Sequence, residues 1–413
     1  MIRRSSVPAS YREVTTRAPQ EADAKSVGIA PRAVEWVWEA VEALYGSGIH
    51  PAIQLCVRVR GQVLIDRAIG HARGNGPPGS DDGPPTPVTP NTPFVALSAS
   101  KAVTAMVVHG LVERGVLHLD DAVCKYLPEF GRHGKDRITV RHLLAHRAGI
   151  PMIPAELMTL DRLGNPDSIR EMINDLVPAT RPGAVLAYHA LSAGFVLAEL
   201  VAAATGHSIG DALDEIIRSP LGFRGLAYGV PAADVEQVAR NYYTGVPVLS
   251  LLSARFRRIL GYDFADVPDL ANDPRFLQGT VPSANIVATA NELSRFYQLL
   301  LDGGTLDGVR VFEPGTIRRA VAEQSYLELD RTLGLPIRYG LGFMLGGRWV
   351  SFYGPDTEQA FGHLGFTNII AWADPQRDVA AALLTSGKPL LHPALAHVLD
   401  IPRRIGLATA RVG

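Results

Sequence analysis

The chain has 413 residues, 47% of them hydrophobic, and a formal net charge of −1 at pH 7. This length is sufficient for one large domain or two interleaved domains. The charge balance shows no basic surplus of the kind that nucleic-acid-binding proteins carry. No apolar run is long enough to span a bilayer, and the two cysteines, Cys56 and Cys124, match no metal or disulfide pattern. We therefore expect an ordinary globular protein without a nucleic-acid partner.

The first part of the chain predicts a polar arm followed by a helix and a hairpin. Residues 1–30 are expected to form an irregular N-terminal arm, and no apolar segment follows the early basic pair, so we expect no secretory signal and a cytoplasmic location. Apolar residues at helical spacing predict a helix from Pro31. The runs 52–59 and 62–69, rich in β-branched residues, predict a β-hairpin.

The remainder of the chain predicts a helical insertion within a sheet domain. Residues 116–280 are mostly helical in pattern, between sheet-forming parts at 31–115 and 281–413. Strand-like runs follow at 340–345, 349–352, 368–373 and 379–384, and a last helix is predicted at 392–404. The predicted fold class is α/β (α+β), an antiparallel sheet flanked by helices with a largely helical domain inserted.

Within the helical part, residues 246–260 combine apolar residues with three arginines. A basic amphipathic helix of this kind contacts a membrane surface or gates a lipid-like substrate. A helix that packs on its own domain, with its arginines in solvent, explains the same pattern and is the preferred interpretation. Peripheral membrane contact is therefore kept as an alternative.

The stretch Ser98-Ala-Ser-Lys101 combines a candidate nucleophile with a candidate base. Apolar residues at helical spacing follow it, so Ser98 is predicted to lie where a helix begins, with Lys101 on the same face. A lysine whose pKa is lowered by burial can take the serine proton, whereas an arginine stays protonated. For this short pattern by itself, a serine helix cap followed by a solvated lysine is the better explanation.

Further stretches stand downstream in a fixed order: His142-Leu-Leu-Ala-His-Arg-Ala-Gly-Ile150, a run from Tyr188 to Gly206, and Gly362-His-Leu-Gly365. Together with Ser98-Ala-Ser-Lys101 they resemble the class C β-lactamase-like serine hydrolases, which include family VIII carboxylesterases and D-amino-acid peptidases. The resemblance extends from about residue 51 to the C-terminus. It implies a β-lactamase/transpeptidase-like fold, with the active site between the sheet domain and the helical domain.

The resemblance also implies roles for three side chains. Ser98 would be the acylated nucleophile, and Lys101 and Tyr188 would share its proton. A phenol near cationic or donor groups can have its pKa lowered enough to act as a base, and can then protonate the leaving alcohol. This mechanism requires no metal and no cofactor.

The third motif implies the oxyanion site. Gly362-His363-Leu-Gly365 matches a family segment on a strand at the edge of the pocket, which places His363 and Gly365 beside the substrate. The oxyanion is expected between the backbone N–H groups of Ser98 and Phe366.

Two departures from the family pattern favour esters. Tyr188 is followed by His189-Ala190, where β-lactamases have Tyr-x-Asn, and His363 replaces the lysine that holds a substrate carboxylate. We therefore predict a serine carboxylesterase or lipase for small-molecule esters, with short to medium or lipid-like acyl groups. Amide hydrolysis of the β-lactamase or D-aminopeptidase type and acyl transfer remain alternatives, a non-catalytic binding protein is the least favoured, and the oligomeric state is left open.

Two other groups of residues are alternative candidates for a catalytic or metal-binding site. Ser283-Ala-Asn285 resembles the Ser-x-Asn of penicillin-recognising enzymes, but a serine in a turn before a capped helix explains it. His142 and His146 have the i, i+4 spacing of metal ligands, yet no third ligand accompanies them, so we interpret them as structural histidines. The sequence contains no H-E-x-x-H or Walker A pattern.

Overall fold

A computed structural model describes residues 2–80, 83–326 and 328–412 of the chain. Residues 1, 81, 82, 327 and 413, which fall within the predicted arm and sheet domain, lie outside this description. The helices are α1 (Pro31–Gly46), α2 (Ser100–Glu113), α3 (Val140–Leu144), α4 (Pro166–Asp175), α5 (Ser192–Thr205), α6 (Ile209–Leu213), α7 (Ser219–Leu221), α8 (Ser250–Leu260), α9 (Val267–Asn272), α10 (Pro274–Gln278), α11 (Ala290–Leu301), α12 (Pro314–Ala320) and α13 (Leu395–Ala408). The strands are β1 (Thr15–Arg17), β2 (Ala52–Val59), β3 (Gln62–Arg73), β4 (Thr86–Pro87), β5 (Phe94–Val95), β6 (Ala227–Tyr228), β7 (Ile286–Ala288), β8 (Thr305–Leu306), β9 (Val309–Arg310), β10 (Met344–Leu345), β11 (Phe361–Gly365), β12 (Ile369–Asp374) and β13 (Val379–Thr385).

The main sheet is antiparallel and joins strands from both ends of the chain. Its order is β1-β3-β2-β13-β12-β11-β10, and β4 pairs with β3. The predicted hairpin is β2 and β3, with Arg58 opposite Val63, and β3 continues to Arg73 beyond the predicted end. The strands predicted at 368–373 and 379–384 are β12 and β13, so these predictions are confirmed. The antiparallel pairing of β2 with β13 places the two ends of the sheet domain side by side.

Helices cover both faces of this sheet. Alternate β2 residues such as Ile53 and Leu55 pack with α1 and α13, whereas Ala52 and Cys56 belong to the core on the opposite face, with α2 and α11. This division follows from the period-two alternation of side chains along a strand. The predicted apolar face of α1 is buried, and α13 spans Leu395–Ala408, slightly later than the predicted 392–404.

The N-terminal arm is more ordered than the sequence predicted. Residues 15–17 form β1, which pairs with β3 so that Thr15 lies opposite Ile69 and Arg17 opposite Arg67. The prediction of an irregular arm is wrong for this segment, because the exposed edge of β3 offers backbone groups that a polar strand can satisfy. The arm therefore covers one edge of the main sheet.

Two predicted strands near the other edge are also revised. The run 340–345 contributes only Met344–Leu345 to the sheet, and the run 349–352 forms no strand in the described structure. Trp349 and Val350 are 84% and 91% exposed, so the apolar residues that indicated a buried strand project into solvent. A run of aromatic and β-branched residues that has no partner strand misled the prediction here.

The proposed division into 31–115 plus 281–413 and 116–280 stays a prediction. Among the described residues, the segment 116–280 contributes helices and short turns, together with β6, which pairs with β7 in a small separate sheet of order β5-β7-β6. In the described parts of the chain, no single helix is long and apolar enough to cross a membrane. Only α5 taken together with Ile209–Leu221, to which it lies at 81°, reaches such a length and composition.

Candidate active site

Ser98 lies at the junction between a sheet and a helix. It sits in a 3₁₀ turn, Leu97–Ala99, that leads directly into α2, as the sequence predicted. The residues on either side of this turn form hydrogen bonds with β7. The Ala96 N–H donates to the Ile286 carbonyl at 2.8 Å, and the Ile286 N–H donates to Ser100 Oγ at 2.9 Å. The hydroxyl of Ser98 is thereby held at a fixed place above the first turn of α2.

Lys101 is buried beside this hydroxyl, only 7% exposed. Its Nζ lies 3.3 Å from Ser98 Oγ and donates to the carbonyl oxygens of Ala190 and Ser283 at 2.7 and 3.0 Å. Burial holds the pKa of Lys101 well below its ordinary value. A neutral amine has two N–H groups, which match the two carbonyls, and one lone pair, which then faces the serine. This geometry is suited to removing the serine proton.

Tyr188 completes the group around Ser98. It lines the same cavity as Ser98, and Lys101 Nζ lies 4.8 Å from the centre of its ring. The expectation of a lowered pKa is wrong: burial raises the pKa of Tyr188, and Asp330 raises it further. The desolvation of a phenolate in this buried position outweighs the opposing effect of the Ser98 hydroxyl on the pKa. Tyr188 is therefore a neutral phenol that can donate a proton.

Asp330 was not identified from the sequence, yet it fixes the position of Tyr188. It is fully buried, and its Oδ1 accepts from the backbone N–H groups of Tyr188, Thr332 and Leu333 at 3.1, 2.8 and 2.9 Å. Its Oδ2 accepts from the Tyr339 hydroxyl at 3.0 Å. No local motif links such an aspartate to Tyr188, because the two residues are 142 positions apart in the chain.

The third motif lies on β11, with its residues in different environments. Gly365 and Phe366 line the cavity at Ser98. A Cβ on Gly365 would meet the Ala96 carbonyl oxygen at 2.5 Å, so glycine allows the strand end to approach the nucleophile turn. His363, in contrast, is buried behind this surface, with its Nδ1 2.7 Å from the Leu364 carbonyl oxygen, and it is not among the cavity-lining residues. Burial lowers the pKa of His363 to about 3, so this ring is neutral.

The two predicted oxyanion donors have free backbone groups. Among the loop, turn and cap hydrogen bonds of the described residues, neither the Ser98 N–H nor the Phe366 N–H donates to an acceptor. Both residues border the same cavity. An oxygen bound between two such groups would be stabilised as it gains negative charge.

A cavity of about 270 Å³ opens beside Ser98. Its lining is almost entirely apolar and comes largely from the helical segment: Met158, Leu160, Leu163, Leu191, Phe256, Ile259, Leu260, Val267, Leu270 and Phe276, with Leu333, Met344 and Leu364 on the sheet side. No lining residue among those described carries a charged side chain. The cavity is thus suited to an uncharged hydrophobic group.

Helix α8, within the basic segment 246–260, forms one wall of this cavity. Phe256 stacks edge-on against Phe264 at 4.9 Å between ring centres, and Phe264 contacts Phe366 at 4.8 Å. Arg257 pairs with Asp263 on the outer side. The preferred interpretation, a helix that packs on its own domain with arginines outward, agrees with this arrangement.

The rival Ser283-Ala-Asn285 contributes through its backbone. The Ser283 carbonyl is one of the two acceptors for Lys101. Asn285 is fully buried and bonds to Val281, Phe276 and Gly279, which holds the loop that carries Ser283. Sequence reasoning missed this support role, because a backbone acceptor leaves no side-chain signal.

The His142 and His146 pair does not face a common point. His142 Nδ1 accepts from the Thr139 N–H at 3.3 Å in a capping box of α3. His146 Nδ1 accepts from the His189 N–H at 3.2 Å, and its ring lies 4.7 Å from that of Tyr188. In the described chain, no group of three or more metal-binding side chains is present.

A further serine has the G-x-S-x-G spacing of a nucleophile elbow, in Gly206-His-Ser208-Ile-Gly210. Ser208 is exposed and caps α6, with its hydroxyl donating to Asp211 at 2.7 Å. It follows a helix, whereas an elbow requires a preceding strand. Ser208 is therefore a helix cap.

The sequence and the fold of this chain are similar to those of known proteins. The chain matches the beta-lactamase family over residues 39–399. It is 28% identical over 393 residues to the esterase/beta-lactamase LipL of Mycobacterium tuberculosis, covering 91% of this chain and 86% of LipL. Among solved structures, a penicillin-binding protein homologue from Caulobacter crescentus superimposes with a TM-score of 0.77 at 27% identity, covering 92% of this chain and 99% of that one. A family VIII carboxylesterase gives a TM-score of 0.75 at 25% identity, covering 91% and 98%. The chain has the β-lactamase/transpeptidase fold and belongs to the beta-lactamase family.

Proposed function

We propose that this protein hydrolyses carboxylic esters with apolar acyl groups through an acyl-enzyme on Ser98. The observation that carries the proposal is the position of Lys101 Nζ, within hydrogen-bond distance of two backbone carbonyls and of Ser98 Oγ. A neutral Lys101 in this position can donate to both carbonyls and accept the serine proton on its lone pair. The uncharged cavity beside Ser98 supports an ester without a carboxylate. Two similar proteins, LipL and the family VIII carboxylesterase, carry esterase names.

In the first half of the reaction, Ser98 Oγ attacks the ester carbonyl while Lys101 takes its proton. The carbonyl oxygen becomes an oxyanion between the N–H groups of Ser98 and Phe366. Tyr188 then gives its proton to the leaving alcohol and recovers one from Lys101. The C–O bond to the alcohol breaks, and the acyl group remains on Ser98.

In the second half, water attacks the acyl-enzyme and gives a proton to the same Lys101–Tyr188 pair. The new oxyanion collapses, Ser98 Oγ leaves with the returned proton, and the carboxylic acid is released. Every proton removed is returned within one cycle, so the mechanism requires no metal and no cofactor.

The test is turnover of p-nitrophenyl esters of increasing acyl length by wild type and Ser98→Ala, with nitrocefin and added alcohols in parallel. We expect wild-type turnover that favours apolar acyl groups, and a loss of at least about 10³-fold in Ser98→Ala. Tyr188→Phe should lose most of kcat with little change in KM.

Wild-type activity in Ser98→Ala contradicts the assignment of the nucleophile. Preferential opening of nitrocefin supports the amide-hydrolase alternative, and a preference for ester products when alcohol is added supports acyl transfer. Failure of a fluorophosphonate to label Ser98, read from intact mass, supports a binding protein without catalysis.

A further inference from the structure

The turn between β11 and β12 carries the proposed oxyanion donor and has a strained backbone. Gly365 pairs with Ile369, so Phe366, Thr367 and Asn368 form the connection. Thr367 and Asn368 have φ values of 43° and 66°, both in the left-handed region. Asparagine tolerates this region, but a β-branched threonine rarely adopts it. Such a conformation persists only where surrounding contacts hold it.

Two hydrogen bonds hold Asn368, one through its side-chain amide and one through its backbone carbonyl. Its Nδ2 donates to His50 Nε2 at 3.3 Å, and its carbonyl oxygen accepts from Thr385 Oγ1 at 3.2 Å. His50 lies between α1 and β2, and Thr385 is the last residue of β13. Both are 0% exposed. The turn is therefore supported from behind by two other parts of the sheet domain.

The His50 contact has a defined direction. An amide nitrogen only donates, so His50 Nε2 must accept and its ring must be neutral. Burial, with the nearby charge of Lys388, lowers the pKa of His50 to about 3, in agreement with a neutral ring. Lys388 Nζ donates to the Thr385 carbonyl at 2.6 Å and so helps to hold Thr385, which in turn contacts the turn at Asn368.

We propose that His50 and Asn368 are positioning residues for the oxyanion site, because their hydrogen bond holds the strained turn that carries Phe366, the proposed oxyanion donor, beside the cavity. This inference rests on the proposed function. A donor of this kind stabilises the transition state only when it is held in place beforehand. Loosening the turn should therefore lower kcat and leave substrate binding almost unchanged.

The test breaks this one hydrogen bond from each side. Asn368→Gly removes the amide but keeps a residue that accepts a positive φ, and His50→Ala removes the acceptor. Each should lower kcat for a p-nitrophenyl ester by about tenfold, with KM within about twofold of wild type. His50→Gln, whose amide oxygen can accept from Asn368, should recover most of the lost rate.

His109→Ala is the matched control for His50→Ala. His109 is also a fully buried histidine, but its Nε2 lies 3.1 Å from the Leu341 carbonyl oxygen, away from the turn. We expect it to lower the melting temperature as His50→Ala does, with kcat unchanged. An equal fall of kcat in both variants assigns the effect to stability and overturns the proposal.

A second readout separates this inference from the choice of substrate. The rate at which a fluorophosphonate labels Ser98, followed by intact mass, also depends on oxyanion stabilisation and should fall by about tenfold in Asn368→Gly and His50→Ala. If the wild-type protein is labelled but does not hydrolyse esters, the proposed function is contradicted, while the labelling rates of the variants still test the role of the turn. Unchanged labelling rates in both variants overturn the role of the turn, and absence of wild-type labelling overturns both.

Discussion

Leu97, immediately before the proposed nucleophile, has a φ of +48°, a left-handed conformation that a leucine rarely adopts. This backbone is held by two hydrogen bonds with Ile286 of β7. One is donated by Ala96, before Leu97, and the other is accepted by Ser100, after it. Such strain costs about 1–3 kcal/mol and is concentrated at functional sites. At the scale of single residues, the fold therefore stabilises an unfavourable conformation at Leu97, directly before the proposed nucleophile.

The protonation states of Lys101 and Tyr188 predict the pH profile. Lys101 must be neutral to act as a base, and burial lowers its pKa, so kcat/KM should rise with pH to a plateau whose midpoint lies well below the ordinary pKa of lysine. Because burial raises the pKa of Tyr188, activity should not fall in the range where an ordinary tyrosine ionises. Steady-state rates on a neutral ester across the stable pH range measure this.

A profile that rises only near the ordinary lysine pKa contradicts a neutral Lys101. Circular dichroism at each pH is the control, because unfolding also lowers the rate.

Asp330 gives a second prediction at the residue scale. Asp330→Ala leaves three backbone N–H groups without their acceptor, so we expect a loss of about 3 kcal/mol in unfolding free energy and about 10²-fold in kcat from a displaced Tyr188. Asp330→Asn keeps an oxygen for the three N–H groups and should recover most of kcat. Urea unfolding and ester kinetics on both variants test this, and equal kcat in Asp330→Ala and wild type is the contradicting result.

At the scale of elements, α8 determines the size of the cavity. Its inner residues, Phe256, Ile259 and Leu260, face the cavity, whereas Arg257 and Arg258 lie along a groove on the other side of the helix. One helix thus separates the apolar cavity from the protein surface. The basic residues that raised the question of membrane contact occupy the outer side.

Filling the cavity from this helix should change acyl preference. Ile259→Trp should lower kcat/KM for p-nitrophenyl octanoate by about tenfold and that for the acetate by less than about threefold, because only the longer chain meets the added ring. Arg258→Gln, on the outer side of the same helix, is the control and should change neither. Equal losses for both esters would show that α8 does not limit acyl length.

At the scale of the whole molecule, the arm is tied to the sheet by a buried ion pair. The side chains of Glu21 and Arg67 are 1% and 5% exposed. Glu21 accepts from Arg67 Nε at 2.9 Å and from the Asp66 N–H at 2.8 Å. The arm therefore adds a strand and a buried charge pair to the edge of the sheet.

Removing one partner of this pair should destabilise the fold. Glu21→Ala leaves Arg67 buried with only Glu35, so we expect a loss of about 3 kcal/mol in unfolding free energy. Glu39→Ala, which removes an exposed partner of Arg404 at 3.6 Å, should cost less than about 1 kcal/mol. Urea unfolding compares them, and equal losses would show that the arm pair contributes no more than a surface pair.

Local patterns predicted the parts of the fold that depend on neighbours in sequence. The apolar spacing from Pro31 predicts α1, the β-branched runs predict β2 and β3, and the capping box at Thr289 marks the start of α11. These succeed because helix and strand periodicity are properties of a short window of sequence. The strand predicted at 349–352 and the irregular arm at 15–17 fail because strand pairing depends on what lies alongside.

The sequence by itself determined the family, the helix start at Ser98 and the spacing of Ser98 and Lys101, since each is written in consecutive residues. Tertiary structure decided the chemical state of the site. The carbonyls that hold Lys101 come from positions 89 and 182 residues away, and Asp330 is 142 residues from Tyr188. Burial of the amine and of the phenol is likewise a result of packing between distant segments. The physical reason is that desolvation and hydrogen-bond partners set these pKa values, and both depend on the folded chain as a whole.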